Sequence, residues 1–316
     1  MRPVAIADDA TGALEVGATL AKLGIPARVT FDLESPLGDC VTIFDTESRH
    51  LPDEAAAERV RSVALRANRN SPLYKKIDST LRGPIAAELA ALAETFPDRP
   101  IALIPAYPAL GRTVRQGRVF VHGVPLEQTA FARDPRLPVH SSEIAGAIDA
   151  ETDADLDRIA ASLHPATIVA GSGGFVSRWA KLVGLPTGEP PPLPKIDSWL
   201  LICGSRHPTS LAQAEAAPMP KLLAANTGSP EEIAAELAAR AAREIERTTP
   251  DAVLIFGGDT AFALWQALHV REIAPLGEAL PGVAISTAPG HPVFVTKAGG
   301  FGDPALALTL VEKFRR

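Results

Sequence analysis

Cysteine is nearly missing from this chain: Cys40 and Cys203 are the only two in 316 residues. Both sit in apolar, strand-like runs, so they read as buried thiols in a reducing compartment rather than as a disulfide framework. Aromatic residues are scarce at 5%, while alanine is abundant, which favours helices packed closely on sheets. There is no cationic excess. A net charge of −6 excludes a general nucleic-acid binder but leaves room for a local cationic pocket. The opening Met-Arg-Pro-Val-Ala-Ile-Ala-Asp is neither a signal peptide nor a membrane span, and the chain reads as cytoplasmic. Neither a Walker A pattern nor the Rossmann glycine fingerprint occurs. No His, Cys, Asp or Glu spacing suggests a metal site, so no metal ligand is expected. Sequence repeats are absent, and the one biased tract is a proline run.

What is present is a regular alternation. Short apolar runs at Val4–Ala7, Ala27–Phe31, Val41–Phe44, around Leu73 and at Ile101–Ile104 are interleaved with helical patterns. That rhythm predicts a parallel α/β sheet. Residues 105–138 break it, reading as a hairpin with Gly123 at or near its turn, and a helix is expected from Ser142 to about Leu163. Thr187-Gly-Glu-Pro-Pro-Pro-Leu-Pro194 is the best boundary, because such a stretch continues neither a helix nor a central strand. Two domains follow, residues 1–188 and 189–316, each with a largely parallel sheet flanked by helices.

The stretch Ser71-Pro-Leu-Tyr-Lys-Lys-Ile-Asp-Ser-Thr-Leu-Arg-Gly83 holds the densest chemistry. It places Lys76, Asp78, Ser79 and Arg82 where a strand ends and a helix begins. Ligands of such sheets bind at the carboxyl ends of strands, and Asp8, Asp9, Asp45, Lys76 and Asp78 all fall on that edge. Cations for a carboxylate (Arg82 or Lys76) and acceptors for hydroxyls (Asp8 and Asp78) suit an acidic, hydroxylated small molecule. Asp9 reads equally well as a helix cap. The second half offers three glycine-rich strand-to-helix turns: Gly204-Ser205, Gly257-Gly258-Asp259-Thr260 and Gly299-Gly300-Phe301-Gly302. Glycine lets backbone N–H groups approach phosphate, and Lys297 stands where it could reach one. Each turn alone is weak evidence, since Asp259 or Thr260 could simply cap a helix, and Lys297 could be a solvated strand end.

Ala7-Asp-Asp-Ala-Thr-Gly-Ala13, Lys75-Lys-Ile-Asp-Ser-Thr-Leu-Arg-Gly83 and Pro105-Ala-Tyr-Pro-Ala-Leu-Gly-Arg-Thr113 resemble the four-carbon acid sugar kinase family. Gly123-Val-Pro-Leu126, Phe131-Ala-Arg-Asp134, Gly257-Gly-Asp-Thr260 and Thr296-Lys-Ala-Gly-Gly-Phe-Gly302 extend the resemblance nearly end to end. It implies an N-terminal acid-sugar-binding domain and a C-terminal nucleotide-binding domain, the latter shortened here between Gln213 and Gly257. It also implies ATP-dependent phosphorylation of threonate, erythronate or 3-oxo-tetronate at the terminal hydroxyl, with Mg²⁺ bridging the phosphates. Asp78 and Asp8 are then the expected catalytic carboxylates, and Asp8, Asp9, Lys76, Asp78, Ser79 and Arg82 the expected substrate contacts. ATP contacts fall to Ser205, Gly257, Gly258, Asp259, Thr260, Lys297, Gly299 and Gly300. The expected partner is a small sugar acid, with neither nucleic acid nor membrane, and a homodimer stays open. Two rivals remain: a non-catalytic sugar-acid-binding protein with a degenerate nucleotide domain, and another α/β transferase acting on a phosphorylated substrate.

Overall fold

The computed structural model describes residues 2–134, 136–225, 228–298 and 302–315. The chain divides into two units, Met1–Gly188 and Glu189–Arg316, within the proline-rich stretch.

In the first unit, β1 (Val4–Ala7), α1 (Ala10–Lys22), β2 (Ala27–Thr30), β3 (Val41–Asp45), α2 (Asp53–Ala64), β4 (Leu73–Lys76), α3 (Ile85–Thr95) and β5 (Ile101–Ile104) follow one another. After them come a small antiparallel sheet of β6 (Arg112–Arg115), β7 (Arg118–Val121) and β8 (Val124–Pro125), then α4 (Asp153–Ser162), β9 (Ile168–Gly171) and α5 (Val176–Leu182). The main sheet runs β2-β3-β1-β4-β9-β5 and is parallel throughout. The order reverses direction at β1, so right-handed crossovers send α1 to one face and α2 and α3 to the other. Accordingly α1 packs with α5, and α2 with α3. Val4, Ile6, Phe44 and Leu73 meet Val60, Val63, Ala91 and Leu92 in one buried layer.

The second unit contains β10 (Trp199–Cys203), α6 (Pro208–Ala216), β11 (Lys221–Leu223), α7 (Pro230–Thr248), β12 (Ala252–Phe256), α8 (Gly258–Ala267), β13 (Glu272–Leu280), β14 (Val283–Thr287), β15 (Val293–Lys297) and α9 (Leu306–Phe314). Its strands run β11-β10-β12-β15-β14-β13; the first four are parallel, and β14 and β13 are antiparallel additions. Leu201, Cys203, Leu254, Phe256 and Val295 face Leu306, Leu310 and Phe314.

Two expectations are corrected, and one strand was not foreseen. The helix expected from Ser142 begins only at Asp153, where Thr152 and Asp155 form a reciprocal cap. Gly146 upstream sits at φ +78°, and isolated bridges tie Glu143, Ala147 and Ala150 to Arg118, Leu103 and Val114. Strand β13, which carries Pro275 and Gly277, had no counterpart in the pattern. Cys203 is buried as expected, but Cys40 is only half-buried. No helix among the described residues is long and apolar enough to cross a membrane.

Candidate active site

Strand alternation explains where the adjacent lysines go. Leu73 and Lys75 point to the α3 face, Tyr74 and Lys76 to the α1 face. Lys75 is fully buried with its Nζ 2.9 Å from Glu88 of α3. Glu88 also accepts from the Ser48 hydroxyl at 2.6 Å, and Ser48 lies 2.7 Å from the Thr46 hydroxyl. Lys76 Nζ is 3.0 Å from Glu15 and donates to the Ile77 carbonyl at 3.2 Å. The expected cation at Lys76 is therefore a buried, paired one.

At the carboxyl edge of β1, β3 and β4 the central group is Arg49, which sequence reasoning passed over. Its Nε and Nη2 hold both oxygens of Asp8, at 2.7 and 3.0 Å, and Nη1 donates to Asp9. The Ser48 and Arg49 N–H groups donate to the Asp8 carbonyl, at 2.9 and 3.1 Å, welding the turn after β3 to β1. Asp9 is also the cap of α1, accepting the Gly12 N–H at 2.7 Å. The cap reading of Asp9 is thus the one observed, and its second oxygen is taken by Arg49.

After β4 the chain turns through Leu81 at φ +59° and Gly83 at φ +91°. A side chain at Gly83 would be strained, and its Cβ would lie 3.3 Å from the Arg49 carbonyl oxygen. The turn folds around Asp78. Its Oδ2 accepts from Thr80 Oγ1 at 2.6 Å and Arg82 Nε at 2.7 Å. Arg82 also reaches Asp134 at 3.4 Å and lies 5.6 Å over the Phe131 ring. Ser79 accepts a hydrogen bond from Arg112 Nη1 at 2.9 Å. A cavity of about 530 Å³ opens beside Arg49 and Arg82, between the start of α3 and residues 137–144.

The carboxylates are tuned apart. Burial would push Asp8 up, but Arg49 and then Lys75 outweigh it and hold Asp8 below its ordinary value. Burial likewise opposes ionisation of Asp78, yet Arg49 and Arg82 drive it far below the usual range. In Asp9 burial wins, helped by neighbouring Asp8, and its pKa is raised despite Arg49. Burial and the adjacent Glu47 raise Asp45 well above its ordinary value. Asp8, Asp9, Asp78, Ser79 and Arg82 therefore share one sheet edge, with Arg49 at its centre. Arg49 lies 41 residues from Asp8. The available signal was its place in the turn after β3, on the edge where ligands bind.

In the second unit the turns after β10 and β12 interlock. A Cβ at Gly204 would fall 1.9 Å from Thr260 Oγ1, so that position admits only glycine without displacement. Gly257, at φ +111°, is the residue at the N-cap of α8, which has no side-chain cap, and neither Asp259 nor Thr260 serves as one. Uncapped N–H groups at a helix start are an anion site. Ser205 Oγ accepts from the His207 N–H at 3.3 Å, and His207 caps α6. Lys297 is buried, not solvated, with its Nζ 2.9 Å from the Ala298 carbonyl and 4.5 Å over the Phe256 ring. Burial lowers its pKa to about 8. Gly299 and Gly300 lie outside the described residues.

A family model described as the sugar-binding N-terminal domain matches residues 3–148, and one described as the nucleotide-binding C-terminal domain matches residues 200–307. A D-threonate kinase of Bordetella bronchiseptica is 30% identical, the match covering 98% of this chain and 96% of that protein. That alignment spans 394 positions, more than the 316 residues here, so the relative carries segments this chain lacks. A D-threonate kinase of Salmonella typhimurium is 40% identical over 151 residues, 46% of this chain and 36% of that protein. Among solved structures, a Salmonella typhimurium LT2 protein described as a tRNA synthase superposes over 100% of both chains, with TM-score 0.83 and 18% identity; this shows the fold alone. A Bordetella bronchiseptica protein of the DUF1537 family, a domain-swapped dimer with bound citrate, is 27% identical with TM-score 0.53 over 100% of both chains.

Proposed function

The chain belongs to the four-carbon acid sugar kinase family, and from that premise we propose that it transfers a phosphoryl group from ATP to the terminal hydroxyl of threonate, erythronate or 3-oxo-tetronate. The observation that carries the reading is the cluster of Asp8, Asp9, Asp78, Ser79, Arg49 and Arg82 on one strand edge of residues 1–188, the unit that contains the sugar-binding match. Residues 189–316 take the nucleotide. Asp78 accepts a hydrogen bond from the reacting hydroxyl, and Arg82 and Thr80 fix its orientation. Held so far below its ordinary pKa, it orients that hydroxyl rather than stripping it. Phosphoryl transfer tolerates this, because positioning and charge neutralisation dominate over base strength. Asp8 and Ser79 serve the other hydroxyls.

The ATP phosphates meet the α8 start at Gly257, Gly258, Asp259 and Thr260, with Ser205 and Lys297 beside them; Gly299 and Gly300 belong to the same proposal. Among the described residues no group of three or more His, Cys, Asp or Glu side chains could hold a metal ion. The nucleotide's own phosphates would carry Mg²⁺, which neutralises charge there when bound. ADP release with ATP, Mg²⁺ and the D- and L- forms of these acids is expected for one acid. Silence across the panel, from folded protein, overturns the proposal. Gly204→Ala, by pushing on Thr260, is expected to raise the KM for ATP about 10-fold or more while leaving the KM for the acid little changed. An unchanged ATP KM would remove the β10 turn from the nucleotide site.

A further inference from the structure

A site that selects an acid needs a cation whose charge is not already spent. On this edge most are spent. Arg49 is held by Asp8 and Asp9, Arg82 by Asp78 and Asp134, Lys76 by Glu15, and Lys75 by Glu88. A substrate carboxylate arriving at Arg82 would meet two carboxylates already there.

Arg112 differs. It opens β6 at the root of the hairpin, where its backbone is locked to Tyr107 by two hydrogen bonds of 2.7 and 3.1 Å. Its Nη1 reaches Ser79, the residue next to Asp78, at 2.9 Å. Among the described residues it has no carboxylate partner. Its Nε is closed off from water and no described acceptor takes it. The residue as a whole is only half-buried, and a guanidinium with unpaired charge matches the two oxygens of a carboxylate.

We propose that Arg112, rather than Arg82, binds the carboxylate of the substrate and makes the site prefer an acid to a neutral polyol. The inference rests on the sugar-acid reading above and assigns one end of that substrate. With the carboxylate at Arg112, the hydroxyls extend past Ser79 toward Asp78, whose charge Arg82 serves to fix.

The test compares the full-length enzyme with Arg112→Gln and Arg112→Lys, measuring kcat and KM for the acid turned over and for its primary amide. Arg112→Gln is expected to raise the KM for the acid roughly 10- to 100-fold, the worth of a charge-assisted pair, with kcat within about 3-fold. The KM for the amide should stay put, so discrimination between acid and amide collapses. Arg112→Lys keeps the charge without the fork and should fall between, which preserves a readout if the Gln variant does not fold. Equal losses on acid and amide would show that Arg112 only braces Ser79, and would overturn the inference. So would an unchanged KM for the acid in an otherwise active enzyme, with the kinase reading left standing. A wild-type protein that turns over no four-carbon acid removes that reading and this inference together.

Discussion

Asp78→Asn is expected to lower kcat by about two to three orders of magnitude and to leave the KM for ATP within a few-fold. The expected size follows from losing a positioned carboxylate in the transition state, typically about 10²- to 10⁴-fold. Asn keeps the shape and one acceptor oxygen for Thr80 or Arg82. It removes the charge that, in the role proposed for Asp78, strengthens the hydrogen bond to the reacting hydroxyl. The wild-type pH profile carries a matching signature. Because Arg49 and Arg82 depress the folded-state pKa of Asp78 against the pull of burial, its contribution to stability is complete above the ordinary carboxylate value and is lost only as pH falls through the depressed one. Between pH 5 and 8 no ionisation of Asp78 should shape kcat, so an acidic limb there belongs to another group. Steady-state kinetics beside a thermal melt decide the matter. A folded Asn variant with kcat within 3-fold of wild type would exclude Asp78 from the chemistry.

The second large effect is on folding. Arg49→Met strips the counter-charge from Asp8 and Asp9, and Asp78 loses the neighbour that lowers its pKa most. Buried ions that lose a partner cost about 3–5 kcal/mol, and urea unfolding at pH 7 should register a deficit of that order. The pH dependence gives the mechanism away. In the wild type Asp8 is depressed, so its stabilising share is lost on acidification. In the variant burial is opposed only by the lysines, and the folded-state pKa of Asp8 rises. A carboxylate raised in the folded state destabilises more as pH climbs, so the variant's deficit should shrink from pH 7 toward pH 5. A deficit below about 1 kcal/mol, or one that does not move with pH, would mean that Arg49 is not the hub of this edge.

The two outcomes bear on residues of unequal visibility in the sequence. Asp78 was legible because a short apolar run ends in it and a helix begins soon after, which puts it on the binding edge of a parallel sheet. Asp8 was legible for the same reason. Arg49 was not, because its partners come from another strand end and no local pattern links Ser48-Arg49 to Asp8. The pairing of Lys76 was not legible. Alternation sends the side chain to the α1 face, but only the fold shows Glu15 waiting there. The helix expected from Ser142 starts late because Gly146 in the left-handed region and cross-bridges to the hairpin root claim that backbone. Strand β13 was hidden by Pro275 and Gly277, residues that ordinarily argue against a strand and here coincide with register shifts against β14. The glycines of the turn after β12 are plain in the sequence, whereas the collision that keeps Gly204 glycine depends on Thr260 from another turn.

The buried chain from Lys75 through Glu88 to Ser48 also constrains how this sequence can drift. Lys75 cannot be lost alone without orphaning a carboxylate that is 1% exposed, nor Glu88 without orphaning an ammonium that is 0% exposed. A joint replacement by two apolar side chains relieves both charges but leaves the Ser48 hydroxyl without the Glu88 oxygen it donates to. A tolerated path therefore changes three positions on three segments, 48, 75 and 88, in concert. These positions should behave as one heritable unit with strong sign epistasis: changes harmful singly become acceptable together. Libraries built at these sites one at a time would judge them immutable, while a combinatorial library would recover the exchange.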